Sequence, residues 1–159
     1  MASAPQPARS VGIDFGTTNS VIAQATGDGD ATLVEFDAPD GKSSVFRSAL
    51  CFWQEDGARG ELSHEAGPWA IAEFLEFPQG SRFLQSFKSV AANSVFEHAT
   101  IFEKRLKFEE LGRIFLEHLH AHCGEQLKTL PDRILVGRPV RYVGARPDAK
   151  LARTRYDAM

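Results

Sequence analysis

Cysteine, methionine and tryptophan are scarce, at two residues each among 159. Two thiols as far apart as Cys51 and Cys123, each inside an apolar segment, do not make the disulfide framework of a small secreted domain, and they read as small core residues in a reducing compartment. Long apolar runs are missing as well. The first ten residues, MASAPQPARS, lack the apolar stretch of about seven to fifteen residues that a secretion signal needs, and no later run approaches the roughly twenty that span a bilayer. The expected location is therefore cytoplasmic, with no membrane partner. Nor is positive charge in excess: 18 Lys and Arg against 21 Asp and Glu give a formal charge of −3. With no dense basic block, nothing attracts a phosphate backbone, and nucleic acid is excluded as an expected partner. Internal repeats, low-complexity tracts and heptad runs are also lacking. What is present, 43% hydrophobic and 25% charged residues, suits one globular domain that buries about two-thirds of its unfolded surface.

Pro5, Pro7, Ala8 and Ser10 mark residues 1–10 as a flexible leader, and the fold is expected to begin near Val11. Val11, Ile13 and Phe15 alternate with smaller residues as in a strand entering a core. Gly16 breaks the alternation, Ser20 to Ala25 resumes it, and Gly27-Asp28-Gly29-Asp30 signals a turn before the apolar run Ala31 to Phe36. Three antiparallel strands fit these spacings. A fourth apolar stretch, Ala49 to Trp53, closed by Asp56-Gly57, is expected to extend the meander. Pro68, with Ile71, Phe74 and Leu75 at helical spacing and Pro78 as a stop, predicts a helix of about ten residues. Leu111, Ile114, Phe115, Leu119, His122, Cys123 and Leu127 predict one long amphipathic helix. Ile134 to Val136 is expected as a short buried strand, and Pro147-Asp148 as the start of a helix over Ala149 to Met159.

The chemistry concentrates in Gly12-Ile13-Asp14-Phe15-Gly16-Thr17-Thr18-Asn19-Ser20, a strand that passes through a carboxylate and a glycine into two threonines at a bend. A glycine at that point lets the chain turn where a side chain would obstruct a ligand, so that the following amides can converge on an anion. Thr17 and Thr18 offer hydroxyl donors to phosphate oxygens. Asp14 repels phosphate directly, but it can hold a hydrated cation that offsets the phosphate charge. The plainer alternative is a polar hairpin whose Asp satisfies turn amides.

This segment resembles the first phosphate loop of the actin, sugar-kinase and heat-shock chaperone superfamily, and its wording is most similar to the seventy-kilodalton heat-shock chaperones. Arg82-Phe83-Leu84-Gln85-Ser86-Phe87-Lys88-Ser89 falls where those chaperones carry a lysine required for ATP hydrolysis. Ile134-Leu135-Val136-Gly137-Arg138-Pro139-Val140 resembles their strand ending in a switch proline, in a form closest to divergent bacterial members. The resemblance implies an α/β fold: an actin-like, ribonuclease H-like ATPase lobe over residues 11–159, with a mixed sheet containing an antiparallel meander plus helices. It implies ATP, turned over to ADP, with Mg²⁺ or K⁺ as cofactors, and in full-length relatives unfolded client proteins and co-chaperones as partners. Gly16, Thr17, Thr18 and Asn19 would bind the phosphates, Asp14 the metal through water, and Lys88 would assist the attacking water. A solvated lysine between apolar anchors is the alternative for Lys88. Pro139 would be the switch linking nucleotide state to a peptide-binding domain, while the departing wording VRYVGARPD leaves Arg141 and Arg146 both open as the relay arginine.

In the family, the second phosphate loop, further acidic residues and the adenosine pocket come from later sequence. The lobe is thus expected to be incomplete, a truncated reading frame that is inactive alone and leaves apolar surface bare. Two other superfamily functions compete: a sugar or acetate kinase, and an actin-like filament or interaction module. Asn19-Ser20 and the Lys88 segment count against the kinase. His118, His120, His122 and Cys123 suggest a metal through the spacing of His118 and His122, but no convincing further ligands accompany them, and a helix with His on both faces is the expectation. Trp53, Trp69 and the twelve phenylalanines are expected as packing residues, and no elbow motif supports a nucleophilic triad.

Overall fold

A computed structural model describes residues 9–25, 29–55, 61–128, 131–139, 141–142 and 146–159. Residues 1–8 of the expected leader, and the turns expected at Gly27-Asp28 and Asp56-Gly57, lie outside the described residues.

Strand β1 (Ser10–Phe15) pairs antiparallel with β2 (Asn19–Ala25), which pairs in turn with β3 (Ala31–Leu33). A small hairpin follows, β4 (Phe36–Ala38) and β5 (Gly41–Ser43), turning at Pro39-Asp40 with Gly41 at φ 122°. The two-residue β6 (Phe46–Arg47) returns to the start of β2. The meander expected from sequence is confined to β1–β3, because the fourth apolar stretch leaves this sheet. It forms β7 (Ala49–Trp53), the centre of a separate three-stranded sheet flanked by β8 (Ser63–Ala66) and β9 (Ser81–Gln85). The reason is that Ala49, Leu50, Cys51 and Phe52 are all buried, and a strand buried on both faces needs two covered sides. Helix α1 (Gly67–Glu76) packs on β7 and begins with Pro68 in its first turn.

A 3₁₀ turn, Phe87–Val90, leads through the hairpin β10 (Ala99–Ile101) and β11 (Lys104–Leu106) into helix α2 (Phe108–His122). The Glu110 carboxylate reaches back to accept the Lys107 amide at 2.8 Å, satisfying a donor that the first turn leaves free. Helix α2 ends sooner than its periodicity suggests: Gly124, at φ 54°, opens a separate 3₁₀ turn that carries Leu127. The buried face of α2 supplies Phe115, stacked on Phe15 at 5.0 Å between ring centroids and edge-on to Phe46 at 5.5 Å. Burying each such ring stabilises the fold by roughly 2–3 kcal/mol.

Strand β12 (Arg133–Val136) runs parallel to β1 at the edge of the first sheet, which therefore mixes parallel and antiparallel pairs. It is not the buried strand expected from sequence, since Ile134, Leu135 and Val136 are 56%, 63% and 41% exposed. An apolar run reads the same whether or not anything covers it, and here nothing among the described residues does. Helix α3 (Ala149–Asp157) closes the described fold, its first turn capped by Asp148, whose Oδ1 accepts the Leu151 amide at 2.9 Å. Cys51 and Cys123 are free and buried, and no helix among the described residues is long and apolar enough to cross a membrane.

Candidate functional site

Strand alternation decides how the β1–β2 hairpin presents itself. Phe15 points into the core at 2% exposure, so its neighbour Asp14 points out to solvent. Ser48, just past β6, then staples the bend from both ends: its hydroxyl donates to the Gly16 carbonyl at 2.7 Å and its amide to the Thr18 carbonyl at 2.8 Å. The buried Ser20 hydroxyl lies 3.0 Å from that of Ser48, and Arg47 Nη1 donates to Asn19 Oδ1 at 2.8 Å. With the carbonyls held inward, Thr17, Thr18 and Asn19 are exposed at the tip. Gly16 is sterically required, because a Cβ there would run into the Asn19 carbonyl oxygen, a backbone atom that cannot swing aside. Beneath the tip, Thr18, Arg47, Ser48, Ala49, Gln85 and Ser86 line a recess of about 10 Å³, room for about one water.

Lys88 lies in the 3₁₀ turn after β9, entered through Ser86 at φ 53°. The solvated-lysine alternative is overturned: Lys88 is 2% exposed, with Nζ 3.5 Å from the centroid of the Phe15 ring and no hydrogen-bond partner among the described residues. Burial pushes its pKa down to about 7, against an opposing pull from the Asp14 carboxylate that favours the charged form. The Phe15 ring face gives the ammonium a weaker substitute for water or an anion. Asp14 and Lys88 therefore influence one another electrostatically near the end of β1.

Sequence reasoning missed what holds the Lys88 segment. Arg155 of α3 is buried, and its Nη1 lies 3.0 Å from the carbonyls of Val90, Ala91 and Asn93, while Nη2 donates to Phe96. The signal was legible, since Ala152, Arg155 and Tyr156 share one helical face, and an arginine on a packed face needs acceptors.

The segment expected to switch adjoins the same place. The Gly137 amide donates to the Ile13 carbonyl at 2.7 Å, and a Cβ on Gly137 would sit 3.8 Å from Asp14 Oδ1. Pro139, half-buried, lines an open depression of about 460 Å³ with Arg138, Tyr142, Ala149, Lys150 and Arg153, away from the threonines. Arg141 and Arg146 are both exposed.

The histidines need a correction. One further potential ligand does accompany His118 and His122, brought by β8 from a distant part of the chain: Glu65 Oε1 lies 2.8 Å from His118 Nδ1 and 3.0 Å from His122 Nε2. His64 Nδ1 lies 2.8 Å from the other ring nitrogen of His118, and the His122 ring stacks on Trp69 at 3.5 Å between centroids. Burial raises the Glu65 pKa, but hydrogen bonds from His118, His122 and the Ala66 amide outweigh it and hold the carboxyl well below the usual range.

No protein-family model matches the chain, and no curated protein matches it. Among solved structures the chain is similar to a non-polymerising mutant of MamK bound to AMPPNP, at 14% sequence identity and a TM-score of 0.44. The likeness covers 96% of this chain and 38% of that one, so the chain spans well under half the length of MamK. A likeness at that level fixes neither the fold family nor the function of this chain.

Proposed function

We propose that this chain is the phosphate-binding first part of an actin-like ATP-binding module, and that its resemblance to heat-shock chaperone ATPases reflects common ancestry. The observation that carries the reading is Lys88, a buried amine with no hydrogen-bond partner among the described residues, within the electrostatic reach of the Asp14 carboxylate and close to a turn whose glycine cannot be replaced without a backbone clash. A buried, unpartnered ammonium is costly, and a group that supplies acceptors and negative charge removes the cost. The terminal phosphates of ATP do both. In this reading the backbone amides of Thr17, Thr18 and Asn19 and the hydroxyls of the two threonines, all in exposed residues, donate to phosphate oxygens, and Asp14 orients the waters of a Mg²⁺ or K⁺ ion. The four-carbon stem of Lys88 swings Nζ from the Phe15 ring to the γ-phosphoryl group.

These residues fit the cation as an outer-sphere ligand set, because Asp14 is an exposed carboxylate beside donor groups rather than one member of a closed cage. The bound ion would supply charge neutralisation on the phosphates. The exposed edge strand β12 suits a lobe completed by further chain, and the tip recess is too small to hold nucleotide alone, so affinity is expected to be weak. Coupling to client proteins through Pro139 belongs to the full-length relatives and is part of the proposal. Amide NMR during MgATP addition tests it: shifts gathered at Gly16–Asn19 and Lys88 support the reading, and shifts scattered elsewhere or absent at millimolar nucleotide contradict it.

A further inference from the structure

Two histidines one turn apart on α2 and a glutamate on β8 place three ligand atoms within 4.8 Å of one another: His118 Nδ1, His122 Nε2 and a Glu65 oxygen. The histidines lie at i and i+4, so their rings project from one helical face, and β8 packs against that face. We infer that this cluster is a binding site for one divalent transition-metal ion of the zinc class, joining α2 to β8. It is independent of the nucleotide reading and shares no residue with it.

Donor chemistry comes first. Two imidazole nitrogens and one carboxylate oxygen form a borderline set that suits Zn²⁺, and three protein ligands leave a fourth position for water. Spacing is compatible. In a tetrahedral site with bonds near 2.0–2.1 Å, ligand atoms stand roughly 3.4 Å apart, so the present 2.8 and 3.0 Å separations need to open by about half an ångström. Those short separations show two imidazole nitrogens aimed at one oxygen, a convergence that a cation can take over from protons.

The surrounding shell argues in the same direction. A metal-bound histidine is usually fixed through its second ring nitrogen, and His118 Nε2 already has His64 Nδ1 at 2.8 Å. The Ala66 amide donates to Glu65 Oε1 at 2.7 Å, and Trp69 stacks on His122, so carboxylate and ring are both oriented before any ion arrives. His118, His122 and Glu65 are about one-fifth exposed, enough for an ion to enter and too little for free rotation. His120 is exposed on another side of α2, and Cys123 donates its thiol to the Leu119 carbonyl at 3.1 Å, so neither belongs to the set.

The full chain, stripped with chelator and titrated with Zn²⁺ alone, provides the test, with Co²⁺ as an optical reporter. One ion per chain, a Co²⁺ spectrum of a low-coordinate nitrogen and oxygen site, and a rise in the thermal midpoint are expected. His122→Ala and Glu65→Gln should each weaken Zn²⁺ binding by about 100-fold or more, and His64→Gln by about 10- to 100-fold. His120→Ala should leave it unchanged. Glu65→Gln nearly preserves the shape of the side chain, so its circular dichroism separates lost ligation from lost fold. Zn²⁺ binding that survives Glu65→Gln and His122→Ala in folded protein, or that falls with His120→Ala, overturns the site, as does the absence of Zn²⁺ binding by the wild-type chain.

Discussion

Replacing Lys88 with methionine keeps the stem length and removes the amine from a site where it is 2% exposed and has no hydrogen-bond partner among the described residues. The folded pKa of about 7 lies below the ordinary lysine value of 10.5. Between these values the unfolded chain carries a proton that the folded chain does not, so stability should rise with pH across that interval. Below pH 7 the penalty is fully present. From pH 7 to 8.5 the integrated gain from this single group is roughly 1–2 kcal/mol, and the penalty remaining at pH 7 is about 4 kcal/mol. His64, whose pKa burial and the neighbouring His118 depress, acts below this interval, while Cys51 and Cys123, whose pKa values burial raises, begin to destabilise the fold near its upper end and Tyr156 does so at higher pH. Urea unfolding at pH 7, 7.75 and 8.5 (about evenly spaced in the window) should show a more positive slope in wild type than in Lys88→Met, which should be flat or fall slightly as the thiols begin to titrate. The variant should also be the more stable protein at pH 7, by up to about 4 kcal/mol. A flat wild-type profile, or an equal slope in both proteins, refutes a buried, unpaired Lys88.

Two other substitutions probe the supports of the same site. Arg155→Met removes the donor shared by the Val90, Ala91 and Asn93 carbonyls, and it should cost about 3 kcal/mol in denaturant unfolding while speeding amide exchange around residues 90–96. Gly16→Ala forces a Cβ onto the Asn19 carbonyl, so the hairpin must open, with a loss of about 2 kcal/mol or more and of any nucleotide response; a variant as stable as wild type would show that the turn tolerates a side chain.

Local signals carried much of the architecture. The alternation through Val11, Ile13 and Phe15 located β1, Pro68 located the start of α1, and Asp148 located the cap of α3, because each reports a preference of its own neighbourhood. Relations across the chain were not legible in this way. Nothing local to Ala49–Trp53 says that it pairs with β8 and β9 rather than continuing the first sheet, and nothing in Ile134–Val136 says that no layer among the described residues covers it. The Asp14–Gly16–Thr17–Thr18 turn was visible as a motif, yet the burial of Lys88 against Phe15 depends on a fold that brings the 3₁₀ turn Phe87–Val90 to β1. Glu65 joins His118 and His122 only because β8 packs on α2, so the ligand set was split between two distant segments.

The most direct test of the proposed nucleotide role is a residue-resolved amide map of the full chain during MgATP addition, repeated on Lys88→Met. Shifts that begin at Thr17, Thr18 and Asn19, extend to Lys88 and weaken sharply in the variant are predicted. Equal responses in the two proteins, or movement confined to the Pro139 depression or the Glu65–His118–His122 cluster, would contradict phosphate capture by the Gly16 turn.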